Sequence, residues 1–183
     1  MVETMYRILI LLFLVLEVNV AAAQQAIKPR LSPAAIVTAK YKDTYIKITY
    51  GQPHKRGREV FGKLVPFNEV WRTGANEATE ITLTRDAYLG GNLIPAGTYT
   101  LFTIPEPEKW TIIINKENGL WGSYNYNAKL DLVRFDVPVG ETGNTTYEAF
   151  TIVIDQRNNV ADLLLLWDKT KISIPIQFIE PKI

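Results

Sequence analysis

Short segments in which apolar and polar residues alternate recur along most of the chain, and this pattern constrains the fold more than any other feature. In residues 45–50, Tyr45, Ile46 and Ile48 belong to a run of aromatic and β-branched residues interrupted by polar ones, which is typical of a half-buried strand. Turn sequences such as Gly90-Gly91 separate these segments. We predict about eight to ten short strands, and the clearest cover 45–50, 78–84, 98–104, 110–115, 132–137, 147–155, 161–167 and 171–176.

A series of short strands without alternating long helices indicates an all-β fold, here a single antiparallel β-sandwich or barrel-like domain. Residues 24–33, with Pro29 and Pro33, form a lead-in without a period. Residues 58–64 are the one stretch after the N-terminal apolar run for which we expect a helical turn. The uninterrupted apolar run at 163–167 predicts a strand that is covered on both faces.

The N-terminus is typical of a secretory signal peptide. Arg7 precedes an apolar run at 8–16, and the small residues at 21–23 are suited to cleavage. The run is shorter than the roughly 20 residues that a membrane-spanning helix needs. We therefore predict a signal peptide at 1–23, one domain at 24–183, and export to the periplasm or beyond without a stable membrane span. The alternative is an uncleaved N-terminal anchor.

Composition excludes several classes of function. The chain has a net charge of +1 without a basic stripe, so nucleic acid is not an expected partner. It has no Cys, which is compatible with a bacterial envelope and rules out a cysteine nucleophile. His54 is its single His, which disfavours a zinc site or a Ser-His-Asp triad. No metal site and no cofactor are predicted.

Residues 70–79 combine more chemical types than any other stretch. The guanidinium of Arg72 is suited to clamping a carboxylate or phosphate, but the favoured interpretation is an internal ion pair with Glu77. Asn76 is suited to a ligand, although support of the turn is favoured. Trp71 either stacks on a ligand ring or fills the core, and both interpretations remain open.

Two further loops carry candidate binding residues. The basic loop at 50–58, with Arg56 and Arg58, either attracts an anionic glycan or phosphate or, as we favour, is simply solvated. The loop at 121–127 alternates Trp121, Tyr124 and Tyr126 with small and amide residues, a combination that suits a sugar. The alternative is a packed loop whose rings close one end of the fold.

Several of these stretches together resemble a family of secreted bacterial proteins known as domain of unknown function 2911. The resemblance covers roughly residues 31–176 and implies an exported, mostly β domain, but it brings no catalytic residue with it. The block at 71–77 is its most distinctive part. The matching stretches are 50–53, 55–58, 61–62, 70–79, 94–99, 102–105, 110–111, 121–122, 167–171 and 174–175.

Three hypotheses follow. The leading one is an exported envelope protein that binds a glycan-like or small polar ligand without catalysis, which requires Trp71 and Trp121 to be accessible to solvent. The second is a structural or protein-interaction domain, whose partner the sequence does not identify. The third is a carboxylate-dependent hydrolase that uses Glu77 either with another carboxylate or with Arg72 as an electrostatic stabiliser. The candidate ligand-binding residues are Trp71, Arg72, Asn76, Glu77, Arg56, Arg58, Trp121, Tyr124 and Tyr126.

Overall fold

The computed structural model describes residues 2–3, 5–7 and 29–180. The chain divides into two units, Met1–Arg30 and Leu31–Ile183, and residues 2–3 and 5–7 of the first unit are helical and exposed. The predicted apolar run at 8–16 and the predicted cleavage site at 21–23 lie outside the described residues. No helix in the described part of the chain is long and apolar enough to cross a membrane.

Antiparallel strands make up most of the second unit, which confirms the prediction of an all-β fold. Every predicted strand coincides with an observed one. The strands are β1 (Ala34–Tyr41), β2 (Thr44–Gly51), β3 (Thr79–Leu83), β4 (Ala87–Leu89), β5 (Asn92–Ile94), β6 (Gly97–Pro105), β7 (Lys109–Asn115), β8 (Asp131–Glu141), β9 (Tyr147–Arg157), β10 (Val160–Asp168) and β11 (Thr170–Phe178), and the 3₁₀ turn Ala128–Leu130 precedes β8.

The strands form one curved sheet in the order β1-β2-β3-β6-β7-β8-β11-β10-β9. This sheet is a nearly closed barrel, so the barrel-like form is the one that the chain adopts. The terminal strands β1 and β9 lie side by side, and Nε2 of Gln156 donates to the carbonyl oxygen of Lys40 at 3.0 Å across the gap. The β4–β5 hairpin attaches to β11. Near closure leaves few unpaired backbone groups at the edges of the sheet.

The ladders differ in length. β1 and β2 pair through eight residue pairs, from Ala34 with Gly51 to Tyr41 with Thr44. By contrast, β11 meets β8 through three residue pairs and meets β4 through three more. β9 is also joined to the segment that follows β2, because the amide of Lys55 donates to the carbonyl of Glu148 and the amide of Phe150 donates to the carbonyl of Pro53, each at 2.8 Å.

Alternate residues of the strands point inward and form the apolar core, as their period of two predicts. In β2, Ile46 and Ile48 are fully buried while Lys47 is exposed. Burial of one such side chain contributes about 1.5–3 kcal/mol. Part of this core is a group of five aromatic rings with centroids 4.8–6.1 Å apart, contributed by Phe61, Trp71, Trp110, Phe150 and Trp167.

A second, smaller apolar cluster is built from the residues of β6 and β7 that alternate with the barrel core. Phe102 and Ile113 are fully buried there, and Leu120 and Tyr126 of the loop that follows β7 pack against them. Phe102 in β6 and Ile113 in β7 are therefore buried on the face of these strands that points away from the barrel core. This cluster holds the aromatic loop at 121–127 against the barrel.

Some local predictions are wrong. Residues 58–64 form turns closed by the backbone bridge Phe61–Val65 and contain no helix. β1 and the β4–β5 hairpin were not predicted, because β1 carries exposed Ile36 and β4 and β5 are three residues long. In β10, Leu163, Leu165 and Trp167 belong to the barrel core, and on the other face Leu166 is buried and Leu164 half-buried, so the predicted coverage of both faces is met in part.

Candidate functional site

Residues 71–79 form a loop that enters and leaves the sheet through backbone hydrogen bonds. The amide and carbonyl of Trp71 exchange hydrogen bonds with Thr103 of β6, at 2.7 and 2.9 Å. At the other end, the amide of Thr79 donates to the carbonyl of Arg72 at 3.1 Å, and Thr79 begins β3. Both ends of the loop are therefore fixed to strands of the barrel.

The polar side chains inside this loop are used to hold it together. The hydroxyl of Thr79 donates to the carbonyl of Thr73 at 2.7 Å, and the indole of Trp71 donates to the carbonyl of Gly74 at 3.1 Å. The hydroxyl of Thr73 lies 3.1 Å from that of Thr103. A buried polar group that has a hydrogen-bond partner adds little to the free-energy cost of folding. These side chains are therefore explained by the stability of the turn, and they need no chemical role.

The loop also lies very close to the end of β2. The amide of Ala75 donates to the carbonyl of Gly51 at 3.0 Å. A Cβ placed on Gly51 would lie 1.9 Å from the carbonyl oxygen of Ala75, and one on Gly74 would lie 2.9 Å from the carbonyl oxygen of Gly51. Only residues without a Cβ permit this approach, which is the physical reason for glycine at both positions.

Asn76 supports the turn, as favoured from the sequence. Its φ is 63°, a left-handed conformation that Asn tolerates better than most residues. Its amide group donates to the carbonyl of Ser32 at 3.1 Å, and its own carbonyl accepts from the amide of Gly122 at 3.0 Å. Asn76 thus connects the lead-in, the loop at 71–79 and the aromatic loop.

Trp71 is 8 % exposed and belongs to the aromatic group of the core. Its ring stacks on Trp167 with centroids 5.9 Å apart and meets Phe150 edge-on at 5.1 Å. The solvent accessibility that the leading hypothesis required of Trp71 is therefore not met. Trp71 is thus a core residue, although it also contributes to the wall of the cleft described below.

Arg72 differs from its neighbours, because its guanidinium is not used within the fold. Its Nε is buried and has no hydrogen-bond partner. Within residues 29–180 no carboxylate forms an ion pair with it, so the expected Arg72–Glu77 pair is wrong. Glu77 is exposed, and its backbone bridges to Trp121 instead. A half-buried cation without a counter-ion is costly.

Arg72 lines a cleft of about 440 Å³. The cleft brings together the three stretches that the sequence singled out, because Arg58 comes from the basic loop, Arg72 and Asn76 from the loop at 71–79, and Ser123 from the aromatic loop. Glu69 also contributes to its wall. The volume lies within the range of about 300–1,000 Å³ that is typical of small-molecule sites.

The basic loop is largely occupied by internal contacts. Lys55 forms an ion pair of 2.5 Å with Asp168. The guanidinium of Arg56 donates to the carbonyl of Leu31 at 2.8 Å, and that of Arg58 donates to the carbonyls of Lys55 and His54 at 2.9 and 2.8 Å. Carbonyls do not neutralise a cation, and within residues 29–180 no carboxylate forms an ion pair with Arg58, so this residue brings positive charge to the cleft. Arg56 is exposed and is not part of the lining.

The aromatic loop divides into two parts. Trp121 and Tyr124 are 58 % and 82 % exposed and flank Ser123, which lines the cleft. Tyr126 instead packs on Phe102 with ring centroids 5.0 Å apart and donates to Asp131 at 2.7 Å. Burial, followed by this hydrogen bond, raises the pKa of Tyr126 to about 12. Tyr126 therefore fixes the loop and does not line the cleft.

The sequence did not indicate every residue of the cleft. Leu31 and Ser32 lie in the lead-in, and Glu69 precedes the motif. Nothing in their local pattern marks them, because they come together only when β2 and the loop at 71–79 pack. In the described part of the chain no group of three or more Asp, Glu or His side chains is placed to hold a metal ion.

Comparison with known proteins identifies one family whose model matches the chain. The model of the family described as "Protein of unknown function (DUF2911)" matches residues 32–176. No curated protein and no solved structure matches the chain. The matched range contains almost all of the barrel and every candidate residue of the cleft except Leu31.

Proposed function

The chain belongs to the DUF2911 family of proteins of unknown function, and we propose that it is a non-catalytic module that binds a small polar or glycan-like ligand in the Arg72 cleft. One observation carries the proposal. Arg72 is the one polar side chain of residues 71–76 that the fold places in a cleft without any hydrogen-bond or ion-pair partner among the described residues. Since an unpaired guanidinium gains most from an external acceptor, this is where a ligand adds stability.

The surroundings of the cleft suit a molecule with both rings and polar edges. Trp121 and Tyr124 are not among the residues that line the cleft, but they expose their rings on the same turn as Ser123, which does. Aromatic faces pack against the apolar faces of sugar rings, while Arg72 and Ser123 provide hydrogen bonds to polar substituents. The backbone of the loop is held by strands at both ends, so the site is organised before a ligand arrives.

Binding is better supported than catalysis. The hydroxyls of Thr73 and Thr79, in the same loop as Arg72, are buried and donate within the fold. Glu77, the candidate carboxylate of the hydrolase hypothesis, is exposed and is not part of the cleft wall. Glu69 is the one acidic residue among the described residues that line it, and hydrolysis by paired carboxylates needs two.

A structural role is a second candidate for part of the motif. The contacts of Trp71, Thr73 and Asn76 join β6, β3 and the lead-in, which accounts for these residues without a ligand. It does not account for Arg72, which stabilises none of these contacts through its side chain. In this proposal Trp71, Thr73 and Asn76 have a structural role, and Arg72 binds the ligand.

We also propose that the protein is exported. The support is the sequence of residues 1–23, with Arg7, the apolar run and small residues at the end. Fractionation of expressing cells followed by mass spectrometry tests this. A mature chain that begins at Gln24 in the envelope fraction or the medium supports export, and a full-length cytoplasmic chain contradicts it.

Binding is tested with a variant that fills the cleft and leaves its charged residues, Arg58, Glu69 and Arg72, unchanged. In a Ser123→Trp variant the larger side chain fills the cleft, while the backbone carbonyl of Ser123 still accepts from the amide of Tyr126. We expect oligosaccharides and sugar derivatives that raise the melting temperature of the wild-type protein to lose this effect in the variant. Equal shifts in both proteins would place binding elsewhere and refute the proposal.

A further inference from the structure

Building on the proposed binding function, we infer that the ligand carries an oxyanion, a carboxylate or a phosphate, and that this group pairs with Arg72. The inference concerns the chemical class of the ligand and not its whole identity. It depends on the charged residues that line the cleft and on a comparison of Arg72 with other cations that form ion pairs with carboxylates.

Three other cations of the barrel have carboxylate partners and serve as a comparison. Lys55 pairs with Asp168 at 2.5 Å, Lys109 with Asp136 at 2.6 Å, and Arg134 with Asp131 at 2.5 Å. Arg72 is more buried than Lys109 or Arg134, both of which are exposed, yet it has no carboxylate within residues 29–180. Arg72, which is more buried than two of these three cations, therefore lacks the carboxylate partner that each of them has among the described residues.

Among the described residues, the charges that line the cleft do not supply this counter-ion. Two guanidinium groups, those of Arg58 and Arg72, face one carboxylate, that of Glu69, which is exposed. The hydrogen bonds of Arg58 go to neutral carbonyls. A negatively charged ligand group is consequently attracted to the cleft, whereas a cationic one is repelled.

The geometry of the loop explains why Arg72 keeps its position without a partner. Its carbonyl accepts from the amide of Thr79 at 3.1 Å, and the preceding residue, Trp71, is fixed to β6 on one side and packed in the core on the other. The backbone of Arg72 is thus held from both sides. A guanidinium presented in this way is suited to the bidentate binding of a planar carboxylate or of a phosphate.

Matched probes test the inference. Glucose, glucuronate and glucose 6-phosphate have the same ring and differ in charge, so isothermal titration calorimetry with the full chain compares a neutral, a carboxylate and a phosphate ligand. We expect an anionic probe to bind at least about tenfold more tightly than glucose, and Arg72→Gln to remove this difference. The stronger of the two anionic probes identifies the source of the oxyanion.

Arg85→Gln is the matched control, because Arg85 is an exposed arginine that pairs with Asp43 and lies outside the cleft. It should leave the preference for the anionic probe unchanged. A direct reading comes from the ¹⁵N-detected Nε–H resonance of Arg72, which we expect to shift when inorganic phosphate or acetate is added at constant ionic strength. The corresponding resonance of Arg85 should remain in place.

The outcomes separate this inference from the proposed function. If glucose binds as tightly as the charged probes, and Ser123→Trp abolishes binding while Arg72→Gln does not, the cleft binds ligands but the inferred oxyanion is refuted. If the anionic probes bind equally to the wild-type and Arg72→Gln proteins, the inference is also refuted. If no probe binds at about 10 mM, which corresponds to an affinity weaker than about −3 kcal/mol, both proposals fail.

Discussion

Substitution of Gly51 by Ala tests the contact that places the loop at 71–79 on the barrel. The new Cβ would lie 1.9 Å from the carbonyl oxygen of Ala75 and 2.8 Å from its carbonyl carbon, and both are backbone atoms that cannot rotate away. The hydrogen bond of 3.0 Å from the amide of Ala75 to the carbonyl of Gly51 would have to break or lengthen. Gly51 ends β2, so the loop and not the strand is expected to move.

The expected destabilisation follows from three contributions. Forced expansion of a packed site costs about 1–3 kcal/mol, and a buried backbone hydrogen bond left unmade costs about 1–3 kcal/mol. Replacement of Gly by Ala in a strand returns about 0.5–1 kcal/mol of conformational free energy. The net loss in the free energy of unfolding is about 3 kcal/mol, which lowers the melting temperature of a domain of this size by about 6–12 °C.

The assay is urea denaturation monitored by tryptophan fluorescence, with Gly140→Ala as the control. Gly140 lies in β8, and a Cβ there would be 3.4 Å from the carbonyl oxygen of Lys171, an ordinary contact. We expect that control to change the free energy of unfolding by less than about 0.5 kcal/mol. A loss below about 1 kcal/mol for Gly51→Ala would show that the loop is not held at Gly51 and would refute this reasoning.

Three other predictions concern single side chains. Trp121 is 58 % exposed while the other tryptophans are buried, so acrylamide should quench a fraction of the fluorescence that disappears in Trp121→Phe; an unchanged fraction would contradict the exposure of this ring. The pKa of Tyr126 is raised to about 12 from 10.0, so the folded state binds this proton more tightly, and the stabilisation present below pH 10 is lost as the pH rises towards 12. The urea midpoint should therefore fall more steeply between pH 10 and pH 12 in the wild-type protein than in Tyr126→Phe, and parallel curves would refute the assignment. Arg72→Gln should change the free energy of unfolding by less than about 1 kcal/mol, because no ion pair is lost, whereas a loss of about 3–5 kcal/mol would indicate a buried pair.

The sequence predicts the strands well because their pattern is local. Apolar and polar residues alternate in β2 because successive side chains point to opposite faces of the sheet. This pattern can be read from the sequence of a single strand. β1 was missed because its partner strands cover little of its surface, and Ile36 remains exposed. The expected helical turn at 58–64 fails because Phe61 joins the aromatic group of the core, a tertiary contact that outweighs local propensity.

The cleft was predictable only in part. The chemistry of Arg72, Arg58 and the aromatic loop is visible in the sequence, but their convergence depends on the close approach of Gly51 to Ala75 and of Asn76 to Gly122. The proximity of Arg72 and Glu77 in sequence suggested a pair. Between these two residues, Thr73 and Asn76 adopt left-handed backbone conformations that turn the chain. The spacing of Arg72 and Glu77 in the sequence does not reveal such turns.

The short ladders of β11 have a consequence for how the barrel opens. The two arrays of strands, one from β1 to β8 and the other from β9 to β11, are each built from long local pairings, but they are joined by ladders of three residue pairs. Sub-global opening should therefore separate β9–β11 as one cooperative unit before the remainder unfolds. In native-state hydrogen exchange the amides of β9–β11 would then share a common opening free energy, lower than that of β2, β3 and β6. Since Trp167 packs on Trp71, the same fluctuation would expose the underside of the cleft.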